Sequence, residues 1–296
     1  MEKKILIIGS SSSIGQHILK NPSFSKHQVR TTSRKETSLN EQEIYIDLND
    51  AESFKNLDNI EVDVAILCAA ETSQDTCESE RDYSYKINVT NSLELCRRLL
   101  SKDTFLIYPS TSLVFGGKVQ APKINDPVNP LGQYAKQKSE MEISLRSINP
   151  EKTAVLRFSK ILGSLFPLFE DWVRSLKENK SINPFYDLFF SPISLELACK
   201  ALSQLAIKET QGIYQLSATR DISYAEAAIY ICEDLGLDKS LINPTSCKNL
   251  EKKFDITNFA TMDCSSTKSI GIRSPSPFEA IDTYLSSISS ESYEYT

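Results

Sequence analysis

The opening residues constrain the fold more than anything that follows them. Lys4–Ile8 is a continuous apolar run, a buried first strand by its composition, followed at once by Gly9-Ser-Ser-Ser-Ser-Ile-Gly15 and a helical segment. Strand, tight polar turn and helix in direct succession form the layout in which backbone N–H groups at a helix start hold a pyrophosphate. Gly9 and Gly15 take the outer positions of a G-x-x-G-x-x-G loop, Ser12 stands in the middle, and Ser13 and Ile14 complete the turn. A Cβ at Ser12 crowds the phosphate approach, while its hydroxyl offers a hydrogen bond in exchange. The plainer alternative is a Ser-rich helix cap without a ligand.

Alternation continues along the chain. His27–Thr32 reads as a second strand ending in Ser33-Arg34-Lys35. An acid after this strand holds ribose hydroxyls in dinucleotide folds, whereas a basic residue accommodates a 2′-phosphate. Arg34 with Ser33 therefore points to NADP(H) over NAD(H), against the alternative of an exposed loop arginine. Ile44–Leu48 is a short strand in which Asp47, beside Leu48, is placed to reach an adenine amino group. Val62–Cys68 is another buried parallel strand, ending in Ala69-Ala70, small residues that let a ligand lie close to the backbone or simply pack. A helical pattern from about Glu80 to Leu100 contains the polar Asn88.

The stretch Thr104–Lys138 carries the chemistry. An apolar run, Phe105–Tyr108, ends in the hydroxyls of Ser110, Thr111 and Ser112. After a loop broken by Pro122, Pro127 and Pro130, a helix begins at about Leu131, and Tyr134 and Lys138 share one of its faces. A phenol beside an ammonium, facing a strand-end hydroxyl, is a proton-transfer site. Further on, Thr153–Phe158 is a sixth strand, Leu165–Lys177 a helix, and Asn183–Ser191 an irregular aromatic stretch, either a pocket lining or a buried edge. Helices Leu195–Ile207 and Tyr224–Leu237 flank a strand at Gly212–Ser217; a last helix, Pro277–Ser286, precedes a frayed polar tail. Alternating strands and helices predict an α/β, Rossmann-like, doubly wound parallel sheet with ligands at the carboxyl ends of its strands. Gly9, Arg34, Ala69 and Ser110 all fall at those ends. Residues 1–163 are expected to form the dinucleotide-binding domain and residues 164–296 a smaller substrate-binding subdomain, with the segment at about 193–217 returning to the Rossmann core.

The totals exclude several classes. A net charge of −6 over 296 residues argues against a nucleic-acid or anionic-membrane surface, and no apolar run is long enough to span a bilayer. The apolar run before Gly9 is too short for a secretory segment. Seven scattered cysteines without a C-x-x-C pair fit reduced thiols in a cytoplasmic protein, and neither His17 nor His27 belongs to a cluster spaced for a metal. Monomer and homodimer are both open.

Taken together, the Gly9–Gly15 loop, Asp47-Leu48, Cys68-Ala69-Ala70, Asn88, the S-T-x-x-V-F-G of Ser110–Gly116 and the Y-x-x-x-K of Tyr134–Lys138 resemble the extended short-chain dehydrogenase/reductase superfamily over nearly the whole chain. Within it, the chain looks most like the dTDP-4-dehydrorhamnose reductases. Three positions depart from them: Ser12 replaces the middle glycine, Ser112 stands where an Asp is usual, and Lys160 where a Trp is usual in the substrate pocket. The resemblance implies a reductase of a 4-keto (deoxy) sugar nucleotide in surface-polysaccharide synthesis. Tyr134 would be the proton donor, with a phenol drawn nearer neutrality by the Lys138 ammonium and an oxidised nicotinamide. Thr111 would donate a second hydrogen bond to the carbonyl oxygen, and Lys138 would also hold the nicotinamide ribose. A 4,6-dehydratase would need an acidic pair where Ser112-Leu113 stands. A nucleotide-sugar 4-epimerase and a non-catalytic NADP-binding partner subunit are the remaining alternatives.

Overall fold

In the computed structural model the described residues are 2–36, 40, 42–163, 166–249 and 258–291. Six strands alternate with helices through the first half: β1 (Lys4–Ile8), β2 (Gln28–Ser33), β3 (Glu43–Tyr45), β4 (Val64–Leu67), β5 (Phe105–Thr111) and β6 (Thr153–Phe158). Then come β7 (Lys160–Leu162), β8 (Phe189–Phe190), β9 (Pro192–Ser194), β10 (Gly212–Leu216) and β11 (Ile222–Ser223). The helices are α1 (Ser13–Ile18), α2 (Gln74–Ser79), α3 (Arg81–Tyr85), α4 (Ser92–Leu100) and α5 (Gln133–Ile148). They continue with α6 (Pro167–Lys177), α7 (Leu195–Lys208), α8 (Tyr224–Asp234), α9 (Ser265–Ser269) and α10 (Pro277–Glu291).

Seven strands pair in parallel in the order β10-β6-β5-β4-β1-β2-β3. The chain winds outward one way from β1 and the other way from β4, so the order reverses between these neighbours and leaves a crevice at their carboxyl ends. Side chains alternate across the pleat. Ile5 and Ile7 join Ile18 of α1 and Ala198, Leu202 and Leu205 of α7 in one buried layer. Leu6 and Ile8 face the other way, with Leu95 and Leu99 of α4 and Met141 and Leu145 of α5. A strand apolar at every position is thus covered on both faces, as parallel sheets require. β10 is the seventh strand, beside β6, and α7 is one of the sheet's covering helices.

A separate, smaller core gathers α6, α8 and α10. Phe169 stacks on Trp172 at 5.2 Å between ring centroids and meets Tyr284 edge-on at 5.7 Å; Phe190, Ile222 and Ile231 close the cluster. Two small sheets support it, β7 with β9 in parallel and β8 with β11 antiparallel. The stretch expected to be irregular, Asn183–Ser191, therefore ends in a short strand.

Several boundaries differ from expectation for identifiable reasons. The helix expected over 80–100 is two α segments, α3 and α4, joined by a π turn, Lys86–Asn91. There the Ser92 hydroxyl donates to the Ile87 carbonyl at 2.7 Å and the Asn91 amide to Leu48 at 2.6 Å, drawing polar groups out of the regular ladder. The third strand is short because Asp47 leaves it for a turn, its carboxylate accepting from the Asn49 N–H at 2.9 Å. β5 runs past Pro109 to Thr111. Its pairing to β4 ends at Ile107, so β6 alone flanks the strand there, an edge position of the kind proline tolerates. α10 extends to Glu291, beyond the expected Ser286. Leu165, the expected start of the helix before Lys177, and the tail residues 292–296 lie outside the described residues.

Candidate active site

The glycine loop is built by close approach. Gly9 has φ of +88°, and a Cβ there would lie 2.6 Å from the Ala69 nitrogen; a Cβ on Gly15 would lie 2.4 Å from the Gly9 carbonyl oxygen. Neither position accepts a side chain without moving backbone. The loop is pinned to the end of β2 by Gly9 N–H donating to the Thr32 hydroxyl at 3.0 Å and Ser10 donating to the Thr32 carbonyl at 2.9 Å. Ser12 caps α1: its hydroxyl accepts from the Gly15 N–H at 3.0 Å and donates to the Gly9 carbonyl at 2.8 Å. Its own proton is thus committed within the loop, so the bond expected toward a phosphate falls to the backbone.

A cleft of about 240 Å³ opens at the reversal between β1 and β4. Gly9, Ser12, Arg34 and Asp47 line it, as do Leu48, Cys68, Ala69 and Ala70. Ser13, Ile14, Gly15 and Ser33 do not, nor do Ser110, Tyr134 and Lys138. Ile14 packs toward the core, and the Ser33 hydroxyl accepts from the Lys35 N–H at 3.1 Å in its own turn. Ser11, Thr32, Glu71 and Tyr83 line the cleft without having been singled out; Tyr83 arrives from α3, which no sequence motif points to. Burial pushes the Cys68 thiol up to about 12, so it is a neutral wall of the cleft. A hollow of about 310 Å³ at Lys4, Arg30 and Glu61 lies at the amino ends of β1 and β2, the wrong edge of a parallel sheet for a ligand.

Thr111 ends β5 in register with Phe158 of β6. It is 9% exposed, and its hydroxyl oxygen accepts from the Leu113 N–H at 3.2 Å, leaving its proton to give. Tyr134 and Lys138 lie one turn apart near the start of α5. The helix has no side-chain cap of its own; instead the Gln133 N–H donates to the Glu78 carboxylate at 2.7 Å. Lys138 is 5% exposed, and its ammonium lies 4.1 Å from the centre of the Tyr108 ring. Among the described residues it makes no hydrogen bond, nor does the Tyr134 hydroxyl. Burial lowers the Lys138 pKa to about 8, opposed by the Glu142 carboxylate. Burial and the Cys77 thiol raise that of Tyr134. The expectation of a phenol drawn toward neutrality is therefore corrected for the protein by itself: desolvation dominates, and the ammonium rests on Tyr108 rather than on the Tyr134 oxygen.

Two buried networks brace this end. Asn88 accepts from the Glu71 N–H at 2.8 Å and donates to the Glu71 carbonyl at 2.9 Å and to Gln137 of α5 at 2.7 Å. Gln137 in turn donates to Ser84 at 2.9 Å. On the other side, Ser110 donates to the Glu142 carboxylate, which Arg157 holds through Nε at 3.1 Å and Nη2 at 2.7 Å. Gln215 of β10 accepts from Arg157 at 3.1 Å and donates to the carbonyls of Pro122 at 2.8 Å and Asp263 at 2.9 Å. Lys160, two residues past Phe158, is exposed, with its ammonium 4.8 Å from the Phe166 ring centre.

A family model described as the RmlD substrate binding domain matches residues 3–289. The chain belongs to that family. Membership places it among the NAD(P)-dependent oxidoreductases of the extended short-chain dehydrogenase/reductase type. Among curated relatives, the chain is 28% identical over 290 residues to methionine adenosyltransferase 2 subunit beta of Xenopus tropicalis, covering 93% of this chain and 85% of that one. It is 27% identical over 250 residues to dTDP-4-dehydrorhamnose reductase of Aggregatibacter actinomycetemcomitans, covering 81% and 82%. A solved dTDP-4-dehydrorhamnose reductase of Bacillus anthracis, in complex with NADP, superposes with a TM-score of 0.85 at 20% identity, covering 96% of this chain and 99% of that one. The residues present fit a nicotinamide dinucleotide: Cβ-intolerant glycines stand at a strand-end cleft, and the buried Lys138 ammonium has no hydrogen-bond acceptor among the described residues. Among the described residues no helix is long and apolar enough to cross a membrane.

Proposed function

We propose that this RmlD-family chain is a cytoplasmic, NADPH-dependent reductase of a 4-keto (deoxy) sugar nucleotide, serving surface-polysaccharide synthesis. One observation supports the proposal: Thr111 ends β5 on the sheet whose order-reversing crevice is lined by Gly9 and Ala69, and the Lys138 ammonium, one helical turn from Tyr134, lies 4.1 Å from the ring of Tyr108 on the same strand. The loop from Gly9 to Gly15 would hold the pyrophosphate, Asp47 and Leu48 the adenine, and Lys138 the nicotinamide ribose. Arg34, exposed at the cleft's rim, would meet a 2′-phosphate. Bound there, the cofactor supplies hydride to the substrate carbonyl carbon. Tyr134, protonated at neutral pH because burial raises it, gives its proton to the carbonyl oxygen. Thr111 donates a second hydrogen bond to the same oxygen and stabilises its developing charge. Residues 1–163, with the segment at 193–217, would bind the cofactor, and the remainder of 164–296 the sugar nucleotide.

The test is to mix purified protein with NADPH and a panel of 4-keto sugar nucleotides and follow cofactor absorbance; no oxidation with any member counts against the reading. Arg34→Asp should weaken NADPH binding by at least about tenfold more than NADH binding, as loss of one charge-assisted phosphate contact implies. Equal losses would remove the 2′-phosphate assignment. The similarity to methionine adenosyltransferase 2 subunit beta over 93% of this chain favours a second reading, a non-catalytic partner subunit. Tight NADPH binding without turnover on the panel would support it.

A further inference from the structure

Glu142 lies one turn beyond Lys138 on α5, continuing the face that carries Tyr134. It is 4% exposed, a depth at which a carboxylate persists only with partners. Its partners are unusually placed. Ser110, the residue before Thr111, donates to one oxygen, and Arg157 of β6 grips both. The guanidinium itself is 3% exposed and lies 4.8 Å from the Phe115 ring centre; its other arm reaches Gln215 and the Ile124 carbonyl at 3.3 Å. One carboxylate thereby joins the strand end bearing Thr111 to the helix bearing Tyr134.

We propose that Glu142 is a positioning residue for the reduction: clamped between Ser110 and Arg157, it fixes Thr111 relative to Tyr134 and keeps the Lys138 ammonium charged. This rests on the reductase reading for its purpose, though not for its test. The groups facing Lys138 are Glu142 on its own helix, Cys68 after β4, Cys96 on α4 and Tyr108 on β5. Burial pushes both thiols up to about 12 and the Tyr108 phenol above its ordinary value. Of these groups Glu142 is the carboxylate, paired with the Arg157 guanidinium at 2.7 Å. Without it, only the Tyr108 ring is left among them to favour the charged form of a buried amine.

The experiment is a pH titration of the whole chain carrying 13C,15N-labelled lysine, followed by NMR, with Lys138 assigned by its absence from Lys138→Met. The wild-type midpoint should lie near 8, and Glu142→Gln should lower it by about 1 unit or more, a tenfold change in ionisation. Glu142→Asp should restore most of the shift. Equal midpoints in wild type and Glu142→Gln would overturn the proposal, as would a wild-type midpoint below about 7, where the ammonium is already lost. Because Glu142→Gln strands a buried guanidinium, the double variant Glu142→Gln with Arg157→Met is measured as well. Its midpoint too should fall below that of wild type; an unchanged value counts against the proposal. With a reducible substrate, the alkaline limb of turnover should move with the same variants. Failure to reduce any keto-sugar would sink the reductase reading while leaving the titration result standing.

Discussion

At the scale of single residues, the two titrating groups of α5 are held apart in character. The Tyr134 phenol is raised and stays protonated across the neutral range, which suits a proton donor, while Lys138 is lowered to about 8. Tyr134→Phe should reduce turnover by at least about a hundredfold, the lower range for general acid–base catalysis, with NADPH affinity by fluorescence titration largely kept. A variant as active as wild type would remove Tyr134 from the mechanism. For Lys138 the lowered value means ammonium below pH 8 and amine above it. Turnover should therefore fall as pH rises through about 8, and a pH–rate profile flat from about 7 to 9.5 would contradict this. The Tyr134/Lys138 pair was legible because four-residue spacing puts two side chains on one face of any helix. Their medium was not. Burial and the Tyr108 ring under the ammonium come from other elements, and no local pattern encodes how dry a helix face becomes.

At the scale of elements, the glycine loop tolerates least. Gly9→Ala adds a Cβ 2.6 Å from the Ala69 nitrogen at a residue with φ of +88°. It should cost about 1–3 kcal/mol of stability and most cofactor affinity. Thermal melts with and without NADPH check both, and a variant that melts and binds as wild type would show that the loop relaxes freely. The alternation of apolar strands with helices was readable, since a strand buried on both faces has a composition that hairpin strands lack. The π turn at 86–91 was not, because its cause includes the reach of Asn91 to the Leu48 carbonyl, 43 residues away along the chain. The Glu142–Arg157–Gln215 network was equally hidden, its members 15 and 58 residues apart along the chain.

At the scale of the whole molecule, the sheet is not complete where the sixth strand ends. α7 covers one face of β1, β4 and β5, and β10 flanks β6. Residues 1–163 expressed alone would expose Ile5, Ile7, Ile66 and Ile107 where Leu202 and Leu205 now pack. Such a fragment should lack a cooperative melt and should aggregate, whereas the full chain should unfold in a sharp transition; calorimetry distinguishes the outcomes. A cooperatively folding fragment would show that the first six strands suffice.

The Gln215 side chain binds the Pro122 and Asp263 carbonyls together, two points 141 residues apart. During synthesis the cleft between β1 and β4, lined by residues 8–87, has its parts in hand early, while the clasp that Gln215 forms beside Arg157 waits for position 263 to clear the ribosome. A nascent chain thus carries the lining of that cleft long before it can close the clasp.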